Sequence, residues 1–373
     1  MHFSDEILTE EAERILTICN LCNYCNGFCD VFQSAEQRRS FALGDLEHLA
    51  HLCHNCRNCL DACQYAAPHP FDVNMPKLMA TLRQETYVRH AGILQSFAKP
   101  GWQALSLTMA LMILGPVLAM LSLPNDRWGQ AHDRFYDVLD WSWLALLAGG
   151  SAAWAAIGLL VGSIRYWRSC RPAIQAQRSV WAALPTMLGD VATLRNLGGS
   201  IEPGRHPGCN DVDDRLSPLR RRFHHGLFYG FFLCLASTTV ATVYHHLLHE
   251  TAPYPWLSVP VMLGTLGGLA ILTGSLGLMF LKNQSHPKFH VSEIKSGEYG
   301  LLAILALVAG SGLALLVFRS TSIMPLLLFS HLGGVLGFFL TLPCGKFMHA
   351  PYRAIALLHA QMERKDSVKK NEE

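Results

Sequence analysis

The run CNLCNYCNGFC at residues 19–29 recurs with the same spacing as CHNCRNCLDAC at residues 53–63. Both read C-x-x-C-x-x-C-x-x-x-C, the pattern with which bacterial-type ferredoxins grip a cubane iron-sulfur cluster. Three thiolates spaced three residues apart on a tight loop reach three corners of one cubane, and the fourth comes from elsewhere. In two-cluster ferredoxins the last cysteine of each run serves the other cluster. That rule predicts Cys19, Cys22, Cys25 and Cys63 as one ligand set and Cys53, Cys56, Cys59 and Cys29 as the second. Tetrahedral zinc usually takes two separated pairs, which two identical four-cysteine runs match poorly. Disulfides would need an oxidising compartment, and the orientation derived below puts both runs in the cytoplasm. The runs depart from the ferredoxin pattern at one point: it ends in Cys-Pro, whereas Asp30 and Gln64 follow the last cysteines here.

Of the 373 residues half are hydrophobic and only 16% charged, too apolar for an ordinary soluble chain. Six stretches lack Asp, Glu, Lys and Arg for long enough to cross a bilayer core of roughly 20 helical residues: 104–123, 141–164, 223–249, 251–281, 300–318 and 320–345. Pro253 and Pro255 separate the third from the fourth, and Pro116 is tolerable inside a membrane helix. The expected fold is all-α, a dicluster ferredoxin-like domain at 1–76 followed by a six-helix transmembrane bundle. An amphipathic linker helix at 77–103 joins them, with Lys77, Arg83, Arg89 and Lys99 suited to the headgroup boundary. Two spans lie in 104–164, a cytoplasmic insertion in 165–222, four spans in 223–345, and a cytoplasmic tail in 346–373.

Lys and Arg set the orientation. The 124–140 loop carries only Arg127 and Arg134, the 250–256 turn none, and the fifth-to-sixth connection only Arg319, whereas the opposite side carries most of the remaining basic residues. Both termini are therefore expected in the cytoplasm of a multi-pass protein of a bacterial inner membrane. The acidic start, with Glu6, Glu10, Glu11 and Glu13, lacks the basic and apolar regions of a signal peptide. A net charge of +2 gives no support to nucleic-acid binding.

Ionisable side chains in membrane spans mark function, and neutral imidazole is an axial haem ligand. His224 and His225 open the third span, His245 and His246 lie near its outer end, His331 sits ~9 Å beyond Pro325 at a rise of ~1.5 Å per residue, and His349 follows the last span. At ~100° per residue, His331 and His349 point the same way, so one helix would serve two haems. His349 is expected to pair with His224 or His225, and His331 with His245 or His246. Each position also suits an interfacial histidine bonded to headgroups or carbonyls. No C-x-x-C-H run occurs, so the haem, one or two, would be b-type. Arg220, Arg221 and Arg222 would suit propionates, although positive-inside bias alone predicts them. Cys170, Cys209, Cys234 and Cys344 show no ligand spacing. His286 and His290 stand four apart, but Pro287 argues against a helix there. Glycines 264, 267, 268, 274 and 277 suit close helix packing.

No dinucleotide fingerprint follows a strand, so the chain is expected to take electrons from another protein. The cysteine runs together with Arg221-Arg222-Phe223-His224-His225, Val243-Tyr244-His245, His331-Leu332-Gly333 and Lys346-Phe347-Met348-His349 resemble the tricarballylate-utilization (citrate-utilization) protein B family over nearly the whole chain. A similar module forms part of a fused flavoprotein of cobalamin biosynthesis. The resemblance implies an electron-transfer subunit that reoxidises the flavin of a tricarballylate dehydrogenase and feeds the membrane quinone pool through two 4Fe-4S clusters and haem b. Service to a corrinoid-oxidising flavoprotein is the nearer alternative. A six-span transporter with a redox-sensing domain is the more distant one, and acidic residues for ion coupling are missing from its expected spans.

Overall fold

Backbone groups in lipid must find their hydrogen bonds within one segment, which a helix provides. A computed structural model of the chain describes residues 5–91, 101–124, 128, 135–170, 176–197, 208–210, 212, 215–285 and 292–364. Among the described residues it is helical, with no strand beyond an isolated bridge between Cys209 and Ser217. Five helices precede the spans: α1 (Asp5–Cys22), α2 (Asp30–Glu36), α3 (Leu43–Leu52), α4 (Asn58–Asp61) and α5 (Met75–His90). The six long apolar helices are α6 (Gly101–Ser122), α7 (Trp141–Ser169), α9 (Leu219–Leu247), α10 (Val259–Gln284), α11 (Ser292–Val317) and α12 (Met324–Thr341). Between α7 and α9 lies α8 (Val180–Thr193), and α13 (His349–Glu363) comes last.

The spans turn Leu118, Leu121, Ile157, Leu160 and Leu266 outward, an apolar surface that only lipid would cover in a stable chain. This is a multi-pass membrane protein. Without a hydrophobic drive inside lipid, close backbone approach holds such helices together. A Cβ on Gly267 of α10 would stand 2.8 Å from both the Gly230 carbonyl oxygen and the Cys234 Sγ of α9, so only glycine lets these helices meet. Gly274 makes the same approach to Phe223. At one end of the bundle α9 reaches α12 and the turn beyond it through Phe231, Phe338 and Phe347.

The head has one core, in which Leu16, Leu46, Leu49 and Met79 pack with Ala183 and Met187 of α8 and with Ala356 and Leu357 of α13. Both ends of the described chain therefore lie on one side of the bundle. Inside this core Arg38 donates to Glu363 at 2.5 and 3.2 Å and to Asp45 at 2.7 Å, all three side chains being nearly inaccessible. A second buried carboxylate, Glu47, accepts from Ser169 of α7 at 2.7 Å, lies 3.0 Å from His90 Nε2 and pairs with Arg89, tying the head to the second span. Burial pushes the Glu47 carboxyl up, but these partners outweigh it and hold the group below its ordinary value.

Four expectations need correction. Helix α12 stops at Thr341, because Pro343 and Gly345 shape 3-10 turns at Leu342–Cys344 and Lys346–Met348; His349 opens a new helix, so it and His331 do not share one. The segment from 349 to 363, expected only as a cytoplasmic tail, is a helix packed into the core of the head. Arg83 and Arg89 do not face headgroups, for Arg83 donates to the Ala50 and Cys53 carbonyls and Arg89 pairs with Glu47; Lys99 lies outside the described residues. Finally α9 begins at Leu219, inside the segment expected to be insertion, and α11 carries Glu298 near its start, paired with Lys282 and Lys346.

Candidate metal centre

Cys19 and Cys22 occupy the last turn of α1, three apart and hence on one side. The helix ends because Asn23 takes a left-handed conformation at φ 56°, which Asn tolerates better than most residues, and its N–H bonds back to the Cys19 carbonyl at 2.9 Å. The chain then turns through Cys25 and leaves by Cys29, the extended residue before α2. The second run repeats the plan: Cys53 ends α3, Asn55 and Arg57 are left-handed, and Cys59 sits in α4.

These loops bring the cysteines together in crossed fashion. Cys19, Cys22, Cys25 and Cys63, with Cys59 behind them, line a cavity of about 290 Å³ walled by Ile18, Phe32, Tyr65 and Met75. Cys29, Cys53, Cys56 and Cys59 line a tighter space of about 20 Å³, room for one water-sized sphere, so a cubane there requires the thiols to swing outward. Among the described residues no three His, Cys, Asp or Glu converge on a point that would suit a single ion. A ring of four soft thiols around a cavity is the donor set of a cluster. Burial, then neighbouring thiols, push Cys19 and Cys25 up to about 12, and burial pushes Cys29 and Cys59 well above the ordinary thiol value. As bare thiols these groups keep their protons at neutral pH, and metal binding would release them. N–H groups aim at the sulfurs, Asn55 N at Cys53 Sγ (3.4 Å) and Gln64 Nε2 at Cys22 Sγ (3.9 Å). The residues that stand where proline is usual thus have work of their own. Gln64 faces a thiol, and buried Asp30 accepts from Asn196 at 2.7 Å and Arg364 at 2.6 Å.

Of the histidines, His224 and His349 are brought together, ring centres 6.3 Å apart and planes at 84°. Two imidazole nitrogens each ~2 Å from one metal, with ~1 Å more from nitrogen to ring centre on either side, would set the rings about 6 Å apart. His349 Nδ1 is 2.7 Å from the Lys346 carbonyl, which makes Nδ1 the donor and leaves Nε2 as the lone-pair nitrogen. Burial, then Arg353, hold the His349 imidazole well below its ordinary pKa and therefore neutral. His225 turns away, its Nε2 3.1 Å from the Thr193 carbonyl, and Arg221 donates to that same carbonyl at 2.7 Å, away from any propionate role there. His331 is not brought against His245 or His246: its Nδ1 meets Ser311 Oγ at 3.0 Å, while His245 stacks on Trp141 and touches His246. His286 and His290 lie outside the described residues.

Sequence reasoning missed the arginines around the second cysteine loop. The Cys53 carbonyl accepts from Arg83 at 2.8 Å and from Arg353 at 2.7 Å, Arg353 also reaches the His51 carbonyl at 3.2 Å, and the Asn55 carbonyl accepts from Arg220 at 2.6 Å. The available signal was the four-residue step from His349 to Arg353, which puts both on one face of α13.

A family model described as citrate utilization protein B matches residues 99–370, and one described as citrate utilization protein B Fer4-like domain matches residues 12–89. The citrate utilization protein B of Escherichia coli is 42% identical over 367 residues, covering 96% of this chain and 94% of the relative. No solved structure matches.

Proposed function

Because the chain belongs to the citrate utilization protein B family, we propose that it is the electron-transfer subunit of an oxidoreductase system, passing electrons from the reduced flavin of a partner dehydrogenase to membrane quinone. The dehydrogenase would act on a tricarboxylate such as tricarballylate. Two 4Fe-4S clusters and haem b would supply the one-electron carriers. Cys19, Cys22, Cys25 and Cys63 would hold one cluster, Cys29, Cys53, Cys56 and Cys59 the other, and His224 with His349 a haem at the head side of the bundle. His331, against Ser311 and Gly312, is the candidate for a second haem nearer the other face.

What carries the proposal is placement: the loop of the second cysteine set is bonded through Arg353 to the same helix that presents His349 to His224. Helix α13 fixes the head over the bundle, since its residues pack in the core of the head. The head side is assigned to the cytoplasm, in a bacterial inner membrane, from the basic residues clustered there. An anaerobic optical and paramagnetic-resonance titration of the detergent-extracted protein tests this. Two cluster signals and a Soret shift on dithionite reduction are expected. His349→Ala should abolish the low-spin haem band while leaving the iron-sulfur signals, and His331→Ala should lower the pyridine-haemochrome content. A protein without Soret shift, or iron near zero after anaerobic handling, sinks the proposal.

A further inference from the structure

The two cysteine sets differ in the charge around them. Arg83 and Arg353 both donate to the Cys53 carbonyl, and Arg220 donates to the Asn55 carbonyl two residues on. Neither Arg83 nor Arg353 has an ion-pair partner among the described residues. Arg353 is cationic, as a guanidinium is throughout the physiological range. The Cys19, Cys22, Cys25 and Cys63 set is walled instead by Ile18, Phe32, Tyr65, Val73 and Met75. Its rim carries exposed Leu21 and Tyr24, and α1 adds exposed Glu6, Glu10 and Glu13.

We infer that Arg83, Arg220 and Arg353 form a cationic collar that raises the reduction potential of the cluster on the Cys29, Cys53, Cys56 and Cys59 set above that of its partner, making electron flow toward the bundle downhill. The inference rests on the cluster reading above. Reduction adds one negative charge to a cluster, and nearby cations stabilise the reduced form in a poorly screened interior. One electron leaves the set beside Tyr24 and one arrives at the set beside Arg353; no bond is made or broken and no proton is required. The reductant would be a flavin hydroquinone of the partner, losing its two electrons one at a time and releasing its protons on the partner, and the acceptor would be the haem that His224 and His349 would hold. Leu21 and Tyr24 lie at the entry end, and Arg353, four residues from His349, lies at the exit.

The test is a potentiometric titration followed by paramagnetic resonance on the full-length protein in detergent, wild type against Arg353→Gln, Arg83→Gln and Arg353→Lys. Cys56→Ser identifies which signal belongs to the collared set. In wild type that set should have the higher midpoint. Each Gln variant should weaken its one-electron reduction by about tenfold, ~59 mV, with the other midpoint moving far less, and Arg353→Lys should recover most of the shift. A collared set with the lower wild-type midpoint overturns the inference, even if a Gln variant fails to retain the cluster. Midpoints that stay put, or both fall together, overturn it as well. Wild-type protein that carries no cluster signal at all rejects instead the reading beneath it.

Discussion

Removing the Glu363 carboxylate should loosen α13, the helix on which the proposed electron route depends. Glu363 and Arg38 lie 325 residues apart in sequence, are each almost wholly buried, and meet through two hydrogen bonds of 2.5 and 3.2 Å. Breaking a buried pair by deleting one partner costs about 3–5 kcal/mol, because the survivor is left charged and unsolvated. Here Asp45 still holds Arg38 Nε at 2.7 Å, so the lower end, ~3 kcal/mol, applies. The chain is large and membrane-bound, so a global unfolding energy is poorly defined, but local opening of α13 is measurable. At ~1.4 kcal/mol per factor of ten, Glu363→Ala should speed amide hydrogen exchange across residues 352–362 by roughly a hundredfold. Exchange in α10 should not change. The triple variant Arg38→Met, Asp45→Asn and Glu363→Leu removes every charge of the buried cluster and should restore most of the protection, since buried ion pairs and triads are often replaceable by uncharged packing. Unchanged exchange in Glu363→Ala, or a triple variant as fast as the single, would refute the clasp.

The crossed assignment predicts that Cys29→Ser removes the same resonance signal as Cys56→Ser, and Cys63→Ser the same one as Cys22→Ser; the opposite grouping means each run keeps its own cluster. Gly267→Leu should lower the melting temperature in detergent by forcing α9 from α10, an overpacking cost of about 1–3 kcal/mol, while Gly310→Ala, with nothing within 4 Å of its added Cβ, should be silent. Burial, then Arg38, hold His359 down to about 4, against an ordinary value of 6.5. Its folded pKa is depressed, so the unfolded chain binds the extra proton first; the stabilisation is complete above about pH 6.5 and drains away as pH falls toward 4. At ~1.4 kcal/mol per unit, pH 5 should cost the head about 2 kcal/mol from this residue alone. Melting curves at pH 7.5 and 5 should converge for His359→Phe; equal pH sensitivity in both proteins would remove His359 from the account.

The cysteine loops and the spans were legible because their information is local. Spacing records how a short loop closes on a ligand, and charge-free length records a bilayer. The glycines of α10 were legible for the same reason, being small residues at helix spacing. The end of α12 was legible in principle, since Pro343 and Gly345 are breakers in plain view, but the regular angular step between His331 and His349 pointed past them. What could not be read was the return of α13. Ala356, Leu357 and Ala360 look like one weakly amphipathic face until Leu16, Leu46 and Met79 are set against it. Arg83 and Arg353 suffered similarly. A count of basic residues orients a membrane protein, yet nothing in the count says whether a guanidinium meets a phosphate headgroup or the carbonyl of Cys53.

The two family matches divide the chain between residues 89 and 99, and the fold does not respect that division. Residues 349–363 belong by sequence to the membrane part and by packing to the head, where they supply apolar side chains, the partner of Arg38 and a bond to the Cys53 loop. The same short helix presents His349 to His224 on the bundle side. A head that could leave the membrane would have to expose Ala356 and Leu357 and strand Arg38 among apolar groups, which costs more than any single surface contact returns. The separation between the cysteine loop and the histidine pair is therefore set by the rigid turns of one helix rather than by a linker. Electron transfer between fixed centres needs no diffusional search, so a permanently docked head is the arrangement expected of a relay.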